Sequence, residues 1–128
     1  MIIKDIEVIP LNMRFEPDLE QSVLRSGLRA GKGRVTLYRV ELDGGAVGYG
    51  EHVGGSDDAT DLVGQNAVAG LVNIRHPGIQ MALYDAVGRA LSVPAHELMG
   101  RRIRRMVPFA YWSCELSPDN WAEQVQKA

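Results

Sequence analysis

The stretch HPGIQMALYDAVGRALSVPAHELMG, residues 76–100, is the most regularly patterned part of the chain. Pro77 suits the first turn of a helix, where its missing N–H would have no intrahelical partner. Ile79, Ala82, Leu83, Ala86, Val87, Ala90 and Leu91 then follow the spacing of one buried stripe on an amphipathic helix. Pro94 starts a second, shorter helix, and Gly100 supplies its C-terminal stop.

Working outward toward the N-terminus, residues 2–13 (IIKDIEVIPLNM) have strand character. Ile6 and Val8 share one face, whereas Ile9, Leu11 and Met13 share the other, so a bulge or an edge position is expected near Pro10. Residues 14–34 lose all periodicity and carry Pro17, Gly27, Gly31 and Gly33, which marks a long connection of a kind that is commonly functional. Residues 35–42 (VTLYRVEL) alternate, with Thr36, Tyr38, Val40 and Leu42 on one side and Arg39 and Glu41 on the other. Asp43-Gly44-Gly45 is a tight-turn signal, and residues 46–51 return as a partner strand. Residues 2–51 thus predict a three-stranded antiparallel meander. Ser56, Asp57 and Asp58, ahead of apolar residues at 59, 62, 63, 67 and 71, predict a capped helix with an acidic first turn.

Toward the C-terminus, residues 106–112 (MVPFAYW) have the composition of a fresh strand. Ser117-Pro118 then opens a helix bearing Trp121 and Val125 four residues apart. A strand followed directly by a helix is the beginning of a β/α unit.

The totals narrow the function class. A length of 128 residues suits one domain, and a net charge of −2 gives no reason to expect a polyanionic partner. No apolar run approaches a membrane span, and MIIKDIEVIP lacks a signal-peptide layout. A single cysteine, Cys114, excludes an intrachain disulfide and fits a reducing compartment, so a cytoplasmic location is expected.

Motifs for chemistry are sparse. Gly48-Tyr49-Gly50-Glu51-His52-Val53-Gly54 is one residue out of register with a dinucleotide fingerprint, and its strand belongs to an antiparallel hairpin. The stretch Gly27–Gly33 lacks a spacer residue and the hydroxyl residue of a phosphate loop. His52, His76 and His96 fall on separate elements without zinc-ligand spacing. Asp57, Asp58 and Asp61 lack the alternation of a calcium loop and suit helix capping better. The run RRIRR, residues 101–105, has no interleaved aromatics and is expected to be a solvated linker, not a nucleic-acid contact.

In order, a meander ending in Gly48-Tyr49-Gly50-Glu51, a helical run with Ala82-Leu83-Tyr84-Asp85, Gly88, Ala90, Leu91, Pro94, Leu98 and Gly100, and a crossing through Arg101–Arg105 to Val107-Pro108 resembles the N-terminal capping domain of the enolase superfamily. It is most similar to the mandelate racemase and muconate lactonizing group, and the resemblance covers essentially the whole chain. It implies an α+β cap over residues 1–105, followed in 106–128 by the first strand and partial helix of a TIM-type barrel otherwise absent. Enzymes of the family abstract the α-proton of a carboxylate and stabilise the enediolate on Mg²⁺. Their metal ligands and bases sit at barrel-strand ends, and a barrel takes about 250 residues.

The resemblance therefore implies no catalytic or metal residue in this chain. It implies a substrate-specificity role for two cap loops, matched here by residues 15–33 and 51–56, with Phe15, Arg29, Glu51 and His52 as the substrate-facing candidates. The expected parent is a Mg²⁺-dependent dehydratase, racemase or cycloisomerase, with a sugar acid as first choice of small carboxylate substrate, bound through the missing barrel. A homo-oligomer with no nucleic-acid or membrane partner is expected, and these residues alone should have no turnover. Between Glu51 and Ile79 the chain carries less sequence than the family, with Leu71–Arg75 the place where a helix or part of one is missing. The rival expectation is a stand-alone interaction module built on a cap-like fold.

Overall fold

The computed structural model describes residues 1–14, 20, 34–53, 59–110 and 117–127. Strands β1 (Ile3–Asn12), β2 (Arg34–Leu42) and β3 (Val47–Val53) form one antiparallel sheet in the order β1-β2-β3. Helices α1 (Ala67–Asn73), α2 (Pro77–Leu91), α3 (Ala95–Leu98) and α4 (Pro118–Lys127) follow, with a 3₁₀ turn at Thr60–Leu62 ahead of them. The α+β class and the meander expected from the sequence are present.

The alternation in β2 decides which face is covered. Thr36, Tyr38, Val40 and Leu42 are buried, while Val35, Leu37, Arg39 and Glu41 between them are only half-buried. Helix α2 lies on the buried face. Ile79, Leu83 and Val87 are at most 1% exposed, and each contributes about 1.5–3 kcal/mol gross to burial before ordering entropy is counted. The apolar stripe stops earlier than its spacing predicts, because Ala90 and Leu91 are exposed. Strand β3 begins at Val47, and Gly48 already lies under Ala86, so the last turn of α2 runs past the end of the strand beneath it.

The helix sits unusually close to β3 because both partners lack bulk. A Cβ built on Gly48 would lie 2.8 Å from the Ala86 Cα, and one on Gly50 would lie 2.6 Å from the Ala82 backbone nitrogen. Gly48, Gly50, Gly78, Ala82 and Ala86 thus form a seam in which backbone meets backbone. The Asp85 carboxylate accepts a hydrogen bond from the Tyr49 backbone N–H at 3.1 Å and pairs with Arg89 at 2.9 Å, so it satisfies a donor that this edge strand would otherwise leave open.

The ends of α2 explain two further sequence features. Its N-cap is His76, ahead of Pro77. Its C-terminus closes on Ser92 in the left-handed region (φ 57°), with the Val93 N–H bonded to the Gly88 carbonyl. Gly88 has no room for a side chain, since an added Cβ would meet the Val93 carbonyl oxygen at 2.8 Å. Helix α3 follows Pro94, and Gly100 just beyond it has φ +123°, the expected stop.

Three expectations are corrected. The irregularity in β1 lies between Ile3 and Asp5, not near Pro10, which pairs regularly with Thr36. Inserting Lys4 there lets Ile3, Ile6 and Val8 all face α2, and Ile9 and Leu11 then fall on the outer face by simple alternation. β1 is nonetheless the edge strand that the sequence allowed. The helix expected from residue 59 onward is instead a 3₁₀ turn, a Gly64 at φ +88° and a short α1 capped by Asn66. The Asn66 side chain accepts from the N–H groups of Val68 and Ala69, whereas Ser56, Asp57 and Asp58 lie outside the described residues. Residues 60–67 serve the sheet instead: the Ile3 N–H bonds to the Gln65 carbonyl and the Gly64 N–H to the Ile3 carbonyl.

The third correction concerns the strand expected at 106–112. Residues 101–110 have no regular secondary structure and every one is exposed; residues 111 and 112 lie outside the described residues. A strand needs a neighbour for its N–H and C=O groups, and none of the described residues pairs with this segment. Helix α4 does form, with the Ser117 hydroxyl accepting from the Asn120 N–H at its start as expected.

Candidate functional site

Both unpatterned connections leave from one end of the sheet. Strand β1 ends at Asn12, β2 begins at Arg34 and β3 ends at Val53, and the rows Leu11–Val35–Val53 and Pro10–Thr36–His52 lie across that end. The start of α2 lies at the same end. Gly48 packs under Ala82 and Ala86, and Gly50 packs under Gly78 and Ala82, so β3 runs against the direction of α2. Two strand residues and one helical turn cover similar lengths, about 6.6 and 5.4 Å. The next same-face position on β3, His52, therefore arrives beside residue 76.

There it meets a small aromatic cluster. The rings of His52 and His76 are 5.4 Å apart in an edge-to-face arrangement, and His76 stands 4.8 Å from Tyr38 in the same manner. The Tyr38 hydroxyl is 3.2 Å from His76 Nε2, and His76 Nδ1 accepts the Ile79 N–H at 3.3 Å. A neutral imidazole donates through one nitrogen and accepts through the other. With Nδ1 accepting, the proton is assigned to Nε2, which donates to the Tyr38 oxygen. The ring thus ties the first turn of α2 to the middle strand. Gly78 completes the fit, since a Cβ there would sit 2.6 Å from the Tyr38 ring.

The four residues expected to face substrate are distributed unevenly. His52 joins this cluster, half-buried on the helix side of the sheet. Glu51 is exposed and pairs with Leu37 on the opposite face, so adjacent residues point away from one another. Phe15 and Arg29 lie outside the described residues, as do positions 54–56 of the second loop. His76 and Tyr38 were not singled out for the site. The signal was nevertheless present: once Gly48 and Gly50 are placed against Ala82 and Gly78, continuing the same register places 52 against 76. His96 stays apart, exposed on α3 near the exposed Arg101 and Arg102.

Among the described residues, no three His, Cys, Asp or Glu side chains come together to hold a metal ion, and no buried side-chain polar atom lacks a partner. The hydrogen bonds and ring contacts of the cluster hold a helix start against a strand end. At the hairpin end of the sheet the chemistry is ionic. The Glu41 carboxyl is held below its usual range by hydrogen bonds from Lys4 and Arg39. The Asp43 carboxyl is held down chiefly by the Ile2 N–H that it accepts at 3.0 Å.

No family model matches the chain. Among solved structures it is similar to the muconate lactonizing enzyme of Pseudomonas putida, with a TM-score of 0.55 and 23% identity over 81% of this chain and 34% of that one. Variants of muconate cycloisomerase align equally well, one with a TM-score of 0.54 and 24% identity over the same shares of the two chains. Over that 81% of the chain the fold is like that of these muconate lactonizing enzymes.

Among curated proteins, a D-xylonate dehydratase of Haloferax volcanii is 35% identical over 94 aligned residues, covering 53% of this chain and 23% of that protein. The chain thus spans about a quarter of the curated relative and about a third of the structural ones. An alignment 94 positions long that covers only 53% of 128 residues also passes through sequence that the dehydratase has and this chain lacks. Among the described residues, no helix is long and apolar enough to cross a membrane.

Proposed function

We propose that this chain is the capping, substrate-specificity domain of an enolase-superfamily enzyme that abstracts the α-proton of a small carboxylate. A dehydratase acting on a sugar acid is the first choice of parent activity, a racemase or cycloisomerase the next. One observation carries the proposal: the connections after β1 and β3 leave from the same end of the sheet, where His52 and the start of α2 also lie. A cap works by placing loops over a reaction chamber, excluding water and selecting the substrate. The similarity to a D-xylonate dehydratase supports the sugar-acid choice.

Mg²⁺ would supply Lewis-acid stabilisation of the enediolate in the parent enzyme. By the resemblance to the enolase superfamily its ligands belong to the barrel, and the chain's own share is to bind and orient substrate. The apolar residues of 103–109 fit a segment made to be covered, by a barrel or by the neighbouring subunit of a homo-oligomer.

The test uses two proteins. The 128-residue chain, incubated with sugar acids and Mg²⁺ in D₂O, should exchange no α-proton; measurable exchange would sink the assignment of the chemistry to a barrel. Residues 1–105 grafted onto the barrel of the Haloferax dehydratase should give an active enzyme with an altered order of KM values among sugar acids. An active graft with an unchanged order would remove the specificity role.

A further inference from the structure

We infer that His76 is a positioning residue for His52, fixing the direction in which that imidazole is presented at the exit of residues 51–56. The inference rests on the reading of that segment as substrate-facing. It names the part of the fold that would set its geometry.

The His76 ring is anchored at both nitrogens, to the Ile79 N–H on one side and the Tyr38 hydroxyl on the other. With two opposed hydrogen bonds in place, neither rotation about the Cβ–Cγ bond nor a ring flip is possible without losing one of them. Tyr38 is itself fully buried, and Gly78 lies against its ring, so the anchor does not move. His52 stands opposite Thr36 on β2. Its described same-face neighbour along β3 is Gly50, which offers no side chain. The ring against which His52 rests is His76, at 5.4 Å and 72°. An edge-to-face contact with a ring that cannot turn favours one rotamer of its neighbour. A histidine held in one rotamer offers a given nitrogen in a single direction. A site that rejects a polar acid with a hydroxyl in the wrong position needs that property.

The experiment is solution NMR of the 128-residue chain with labelled histidines. The native chain should show His76 as the Nε2–H tautomer, cross-peaks between the two rings and a single His52 rotamer. The decisive variant is His76→Asn, because asparagine still caps a helix through its side-chain oxygen and so preserves the start of α2. Slow exchange of the Ile79 amide should persist, while the inter-ring cross-peaks vanish and the His52 χ1 couplings collapse to averaged values. A single His52 rotamer that survives this change, with the Ile79 amide still protected, overturns the inference.

Should His76→Asn not fold, Tyr38→Phe keeps both imidazoles and removes only the anchor on Nε2. It should leave His76 in the Nε2–H tautomer, still fixed through Nδ1, while the ring loses its second anchor and the His52 resonance shifts; an unmoved His52 resonance would equally overturn the inference. Failure of the proposed function reads differently: His52→Ala in the barrel graft would leave the KM order unchanged while the NMR result stood.

Discussion

Two apolar stretches of this chain have opposite fates. Ile79, Leu83 and Val87 on α2 are at most 1% exposed, whereas Met106 and Phe109 are 86% and 88% exposed. Both look like core from composition. The difference lies in what the rest of the described chain offers them. α2 finds a complementary surface in the glycines of β3 and the alternating face of β2, and residues 101–110 find no strand to pair with. Hydrophobic patterning marks a surface that will be covered, and whether it is covered depends on where its partner lies.

The comparison breaks most readily at the glycine seam. Gly50→Ala would drive a methyl group into the backbone of α2 at Gly78 and Ala82, where no flexible side chain can yield. The expected loss is about 3 kcal/mol or more in urea denaturation, at the upper end of overpacking costs. Gly44→Ala, in the hairpin turn with nothing within 4 Å of the added Cβ, is the control and should change stability by less than about 0.5 kcal/mol. Equal effects at the two glycines would mean that α2 does not lie where the seam places it.

That seam also shows what was legible in the sequence. The alternation of Thr36, Tyr38, Val40 and Leu42 and the turn at Asp43-Gly44-Gly45 suffice to give the meander, because period-two burial and glycine turns are local. The stripe of α2 is equally local. The bulge at Lys4 was misplaced because a change of face only says that an extra residue enters somewhere; the pairing with β2 decides where. The start of α1 was missed because Ser56, Asp57 and Asp58 have the same chemical qualifications as Asn66, and the choice is made by the hydrogen bonds of residues 64–67 to the first residues of the chain. The candidate site was half legible. His52 stands next to a glycine-rich loop, which is visible in sequence, but its contact with His76 exists only through the register of β3 against α2.

A smaller effect is expected at Asp85, which joins α2 to the outer edge of β3. Asp85→Ala removes the acceptor of the Tyr49 N–H and the partner of Arg89. Because the bond is solvent-exposed, water replaces much of it, and the expected loss is about 1 kcal/mol. Hydrogen exchange at Tyr49 should accelerate while that at Val40, in the middle strand, does not. Uniform acceleration would mean that Asp85 supports the whole sheet and not only its edge.

Acid should act on the opposite end of the sheet. Glu41 and Asp43 both have carboxyls held below the ordinary range, so their contribution is present above that range and is lost as pH falls through the depressed values. Stability should therefore decline on the acid side of about pH 4. Glu41→Gln and Asp43→Asn should each flatten that decline. These groups are solvent-exposed, so the change should be small and should shrink further in added salt. A pH profile that neither substitution alters would mean the ion pairs at Lys4 and Arg39 do not persist in solution.

The smallest expected effect tests the comparison most directly. Phe109→Ser replaces a large apolar side chain, and in a core it would be among the most damaging changes available. Here Phe109 is 88% exposed, so stability should change by less than about 0.5 kcal/mol. The same substitution should weaken self-association at high concentration, since an exposed apolar run is a surface for other chains. In a second, longer graft that keeps residues 106–128 of this chain as the first strand and helix of the barrel, the outcome reverses: once the segment has neighbours, burying a serine in place of phenylalanine should cost about 3 kcal/mol or more. One substitution thus reads as silent or severe according to whether the covering partner is present. A severe effect in the 128-residue chain alone would mean that Phe109 already packs within it, and the contrast between the two apolar stretches would fall.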